Sequence, residues 1–90
     1  MSFLFEPGRF YQNDAAGQLV AEVTFTVTDD VLAVNHTFVA PSLRGQGIAS
    51  QLMVAVAEYA REQHDWIKPV CSYSQRFFQR ADQYHDLIKE

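Results

Sequence analysis

Ninety residues and 10.3 kDa leave roughly 5,300 Å² exposed after folding out of ~15,000 Å² in the extended chain, which supports one core and only one. That excludes a two-lobed enzyme, a full dinucleotide-binding doubly wound sheet and a TIM-type barrel. At 48% apolar and 20% charged, with a net charge of −4 spread as −3 over the first 45 residues and −1 over the rest, the chain is too hydrophobic for disorder, too interrupted for a membrane span and not basic enough for nucleic acid.

No repeat, low-complexity tract or linker divides the sequence, so residues 1–90 read as a single domain. Arg9 to Asn13 is a short strand, closed by turn residues around Asn13-Asp14-Ala15-Ala16-Gly17. Gln18 to Thr28 alternates, with Leu19, Ala21, Val23, Phe25 and Val27 on one face, which predicts a half-buried strand. Asp29-Asp30 supplies turn chemistry, and Val31 to Ala40 is its antiparallel partner. Strict alternation puts Leu32, Val34, His36 and Phe38 on one face of that strand.

From Gly47 to about Gln63 the period changes to 3.6: Ile48, Ala49, Leu52, Met53, Val56, Tyr59 and Ala60 form an apolar arc, opposite Ser50, Gln51, Glu58, Arg61 and Glu62. This is an amphipathic helix laid on a sheet. Trp66 to Cys71 reads as a further strand, weakened by Pro69. Tyr73 to Ala81 and Gln83 to Lys89 look like two short helices. The order β-β-β-α-β-α predicts an α+β fold, an α/β sandwich with a mixed, mostly antiparallel sheet. The strands before and after the long helix should be neighbours.

The segment Pro41-Ser42-Leu43-Arg44-Gly45-Gln46-Gly47-Ile48-Ala49 joins strand to helix through two glycines. Bare amides and the helix dipole at such a start favour phosphate or pyrophosphate. A Walker loop needs Gly-Lys-Ser/Thr, and Gly47 is followed by Ile48. A Rossmann fingerprint from Gly45 needs Gly or Ala where Ser50 stands, and Asp65 precedes the next strand instead of ending it.

What remains is Arg/Gln-x-x-Gly-x-Gly/Ala, matched by Arg44, Gly47 and Ala49. It resembles the pyrophosphate loop of the GNAT superfamily of acetyl-CoA-dependent N-acetyltransferases. The wider string from His36 to Ala49, followed by Lys68-Pro69-Val70-Cys71-Ser72-Tyr73, is similar to the small stand-alone, YjdJ-like branch of that superfamily. The resemblance runs over most of residues 9–86. It implies a minimal GNAT acyl-CoA N-acyltransferase fold without the two helices that wall the acceptor site in larger members. Nothing between Phe10 and Val31 is long enough to supply them.

The resemblance further implies that backbone amides of Arg44, Gly45, Gln46, Gly47, Ile48, Ala49 and Ser50 hold the pyrophosphate of acetyl-CoA. Backbone groups of Thr37, Phe38 and Val39 would pair with the pantetheine arm where their strand splays from its parallel neighbour near Cys71. An N–H there could polarise the thioester carbonyl. Cys71 then sits where the thioester arrives, as acetyl acceptor, as proton donor to the departing thiolate, or as a small lining residue. His36 is a candidate base for the acceptor amine, set against a core role. Tyr73 is a candidate acid or a residue packing along the cofactor, and Phe77 a core residue or one lining the cofactor.

His64 and His85 show no ligand spacing with His36 and Cys71, so no metal is expected. Arg76 and Arg80, at i and i+4, read as a solvated helix face, set against a CoA phosphate contact. The lone Cys71 cannot close an internal disulfide and no signal-peptide pattern is present, which suggests a reduced, cytoplasmic chain, monomeric by default. The expected activity is acetyl transfer from acetyl-CoA to a small-molecule or protein amine, with a non-catalytic CoA or acyl-CoA binding module as the rival. Neither nucleic acid nor membrane is expected as a partner.

Overall fold

Short turns make strand order follow chain order. In the computed structural model, which describes residues 2–89, β1 (Leu4–Glu6), β2 (Arg9–Asn13), β3 (Leu19–Thr28) and β4 (Val31–Val39) form an antiparallel meander. Asp29 and Asp30 both take positive φ, 50° and 66°. That is the geometry of a two-residue hairpin turn whose twist matches its strands. Strand β1 has no counterpart in the sequence reading, because three residues are too few for alternation to register. It is held by packing: the Phe5 ring lies 5.1 Å from Phe10 and 5.3 Å from Tyr59.

Helix α1 (Ile48–Gln63) carries the chain back, and β5 (Trp66–Pro69) lies parallel to β4, completing the order β1-β2-β3-β4-β5. Helix α1 buries Ile48, Leu52, Met53, Val56, Ala57 and Ala60 against Val23, Leu32, Val34 and Ile67. Ala57 joins the expected arc, while Tyr59 is half-buried and closes an aromatic group with Phe5, Phe10 and Phe25. Helix α2 (Ser72–Arg80) contributes Ser74 and Phe78, and Phe78 belongs to the same cluster. Both helices therefore cover one face of a five-stranded mixed sheet, the sandwich expected. The exposed area, 5,492 Å², matches the scaling argument for one core. Among the described residues no helix is long and apolar enough to cross a membrane.

The second C-terminal helix is not α-helical. Residues Asp82–Leu87 form a 3₁₀ turn, after which Ile88 bridges to Ile67 and Lys89 N donates to Ile67 O at 3.0 Å. Asp86 is held at 3.0 and 3.3 Å by the Arg61 guanidinium of α1. A 3₁₀ turn rises about 2.0 Å per residue against about 1.5 Å for an α-helix, so this segment reaches further per residue than the expected helix would.

Strand β4 departs from strict alternation. Its register pairs Val34 with Phe25 but His36 with Thr24, so Asn35 is an extra residue. A bulge of this kind inverts which face the following residues present. Below it, Leu32 and Val34 face the helices; above it, Thr37 and Val39 do, opposite Val23 and Ala21. His36 and Phe38 instead share the outer face with Thr24 and Glu22. The expectation that they lie with Val34 fails because of this one inserted residue.

Candidate active site

The site begins where β4 and β5 part. Their pairing ends at Val34 and Pro69, with Val70 N and Cys71 N both donating to Val34 O at 3.0 Å. Cys71 then turns the chain into α2, while β4 continues through Asn35 to Val39. Ala40 N bonds Val20 O at 2.8 Å, so strand alternation directs the backbone of His36 and Phe38 toward β3 and that of Thr37 and Val39 toward the gap. Arg44 Nε donates to Val39 O at 3.2 Å. The N–H groups of Thr37 and Val39 and the carbonyl of Thr37 are left facing open space. Phe38 contributes its backbone to the β3 ladder rather than to this edge.

One end of the gap is the glycine loop. Pro41–Leu43 makes a 3₁₀ turn, Arg44 is extended, and Gly45 and Gly47 take φ of 82° and 77°. Left-handed backbone at two positions in three explains both glycines. Gly47 caps α1, and the first helical hydrogen bond runs from Gln51 N to Gly47 O at 3.1 Å. The amides of Ile48, Ala49 and Ser50 precede it and find no acceptor among the described residues. No acidic side chain offsets the dipole in that turn. These amides border a cavity of about 220 Å³ with Val39, Arg44 and Tyr73. Ser50 Oγ lies 3.1 Å from Tyr73 OH, so Ser50 is a tether between the helices and not a solvated position.

At the other end Cys71 Sγ lies 3.4 Å from Thr37 Oγ1, a contact that exists only because the bulge turned Thr37 inward. The thiol donates to Ser74 Oγ at 3.2 Å, while Ser74 donates its own proton to Cys71 O at 2.8 Å. Burial pushes the Cys71 thiol up. Hydrogen bonds from Ser74 and Thr37 and from the amides of Ser74 and Tyr73 outweigh it, leaving the thiol below its ordinary value. Ionisation requires Ser74 to swing its proton from carbonyl to sulfur, since a hydroxyl has only one.

The structure thus brings together Thr37, Val39, the loop from Arg44 to Ser50, Cys71 and Tyr73. His36 stands apart on the outer face, exposed, at the bulge beside the same gap. Phe77 packs half-buried, its ring 5.0 Å from Phe78, along α2. The sequence reading missed Ser74, which is fully buried. Its signal was the Cys-x-x-Ser spacing at a helix start, which places the two side chains on one turn.

An open mixed sheet in which β4 and its parallel edge neighbour β5 part beside a bare-amide helix start is the arrangement of the acyl-CoA N-acyltransferase class. Residues 9–87 match the pattern of the GCN5-related N-acetyltransferases, and the chain belongs to that family. It is similar to a GCN5-like protein from Staphylococcus aureus, proposed to be an N-acetyltransferase, with 30% identity and a TM-score of 0.82. The alignment covers 98% of this chain and 87% of that one. Nourseothricin acetyltransferase matches at 30% identity and a TM-score of 0.56 over 66% of this chain, which spans 38% of that protein. The Escherichia coli ribosomal-protein-S18-alanine N-acetyltransferase shares the fold, with a TM-score of 0.62 at 15% identity, over 84% of this chain and 52% of its own. No curated protein matches the sequence.

Proposed function

We propose that residues 1–90 act as a single acetyltransferase domain, of the small stand-alone YjdJ-like branch, that transfers acetyl from acetyl-CoA to an amine acceptor. The observation that carries this reading is the edge of β4 where the N–H groups of Thr37 and Val39 find no acceptor among the described residues, opening directly onto the bare amides of Ile48, Ala49 and Ser50. A strand edge suits the amide groups of a pantetheine arm, and the helix start suits a pyrophosphate. The donor set therefore fits CoA.

Bound acetyl-CoA would supply an activated thioester. The Thr37 N–H points into the gap and is positioned to donate to an oxyanion forming there. His36, on the outer face, takes the proton that an attacking amine must lose. Cys71, on the helix face, gives its proton to the departing sulfur, and Tyr73 hydrogen-bonded to Ser50 lines the approach. Base and acid thus stand on opposite sides of the sheet, the base placed for the amine that adds to the carbonyl and the acid for the thiolate that leaves the tetrahedral intermediate.

The β2–β3 link is only residues 14–18, so acceptor walls are not built there and the outer face stays open. The test is a panel of small amines, polyamines and lysine peptides with acetyl-CoA, scored by CoA release and by product mass. Turnover lost in His36→Ala and reduced in Cys71→Ala is the expected result. CoA binding without turnover on any amine overturns the enzyme reading in favour of a binding module. An acetyl increment on the protein that disappears in Cys71→Ala would replace direct attack with a two-step route.

A further inference from the structure

Two arginines lie outside the machinery described so far. Arg76 and Arg80 are four residues apart on α2, so their side chains emerge from one face of the helix. That face is not simply solvated. Both line a cavity of about 400 Å³ between α2 and the first turn of α1, together with Phe77 and Gln83. Ser50 and Tyr73 border this cavity and the loop cavity alike, so the two spaces adjoin across one hydrogen-bonded pair.

The chain carries eleven carboxylates against seven cations, and most arginines have found partners. Arg9 pairs with Glu22, Arg61 pairs with Asp86, and Arg44 bonds Val39 O. Arg76 and Arg80 make neither an ion pair nor a hydrogen bond among the described residues. Two like charges at this spacing repel each other. A dianion between them turns the repulsion into two attractions, and the planar guanidinium fork meets phosphate oxygens in pairs. The glycine loop already accounts for a pyrophosphate, so an anion held here is a separate phosphate on the same ligand. Phe77 offers the adjoining aromatic surface for a nucleobase.

We infer that Arg76 and Arg80 form a second anion subsite for the phosphate monoester on the nucleotide ribose of CoA, so that the chain selects CoA over 3′-dephospho-CoA. The inference rests on the CoA reading proposed above.

Titration calorimetry with both ligands tests it, on the wild type, on Arg76→Gln/Arg80→Gln, and on Lys68→Gln/Lys89→Gln as a control of equal charge change on β5 and the C-terminal bridge. The wild type and the lysine control prefer CoA by on the order of tenfold or more. In the arginine variant the preference collapses toward unity through loss of CoA affinity, while dephospho-CoA still binds and reports an intact fold. Equal affinity of the wild type for the two ligands, or a preference that survives the arginine substitutions, overturns the subsite and leaves the CoA reading standing. Failure of the wild type to bind either ligand overturns both.

Discussion

Replacing Gly47 by alanine isolates the contribution of the loop. Gly47 sits at φ 77° and ψ 13°, and a Cβ built there meets no atom within 4 Å. The cost in the free protein is then backbone strain alone, about 1–2 kcal/mol for a left-handed non-glycine residue. At about 4–8 °C per kcal/mol for a domain of this size, Gly47→Ala should melt measurably earlier than the wild type. Gly17 provides a matched control: φ is 82°, a Cβ there also meets nothing within 4 Å, and the residue does not line the loop cavity. Both variants should lose similar stability in thermal denaturation followed by circular dichroism. They should differ in CoA affinity. Shifting one amide of Ile48, Ala49 or Ser50 off a phosphate removes a charge-assisted hydrogen bond of about 1.5–3 kcal/mol, on the order of ten- to a hundredfold in Kd. Gly17→Ala should keep wild-type affinity. Equal losses in the two variants, or none in Gly47→Ala, would refute the assignment of the pyrophosphate to this helix start.

The thiolate of Cys71 should form below the ordinary cysteine range, so alkylation by iodoacetamide should show a midpoint lower than that of a free cysteine peptide. Thr37→Val and Ser74→Ala should each raise that midpoint, because each removes a hydrogen bond that favours the thiolate. Leu52, fully buried beneath the sheet, should lose about 2–5 kcal/mol on substitution by alanine, measured by urea denaturation. Tyr84 is held above the ordinary tyrosine range by burial and by its 3.2 Å bond to Glu58. Its folded value being the raised one, the stability it contributes is intact below the ordinary range and lost as pH rises through the raised value. A late step in the ultraviolet titration of tyrosine, absent in Tyr84→Phe, checks this.

Periodicity located the long strands of the meander and the long helix, because each is long enough for its apolar pattern to repeat, and the parallel neighbour was legible as a short apolar run after that helix. It missed β1, whose three residues are fixed by Phe5 packing on Tyr59 rather than by their own pattern. It also misassigned the end of the chain, where a 3₁₀ turn is followed by tertiary contacts of Asp86 with Arg61 and of Ile88 with Ile67. At the site, the glycines and Cys71 were legible because backbone geometry and thiol chemistry each restrict residue type. The bulge at Asn35 was not, since nothing in Val34-Asn35-His36-Thr37 distinguishes an inserted residue from an alternating one. Yet that residue decides which side chain meets Cys71 and sends His36 to the outer face. The pairing of Arg76 and Arg80 with a cavity was hidden for a related reason: spacing shows that two side chains share a face, and only tertiary packing shows what that face borders.

The central claim is that CoA lies along the open edge of β4 with its pyrophosphate at the start of α1. Amide chemical shifts recorded by NMR while CoA is titrated test it most directly. The largest changes should fall on Gly45 to Ser50 and on Thr37 and Val39, with the Asp29-Asp30 turn at the far end of β4 unmoved. Shifts confined to other surfaces, with the amides of Ile48, Ala49 and Ser50 unchanged at saturating CoA, would contradict it.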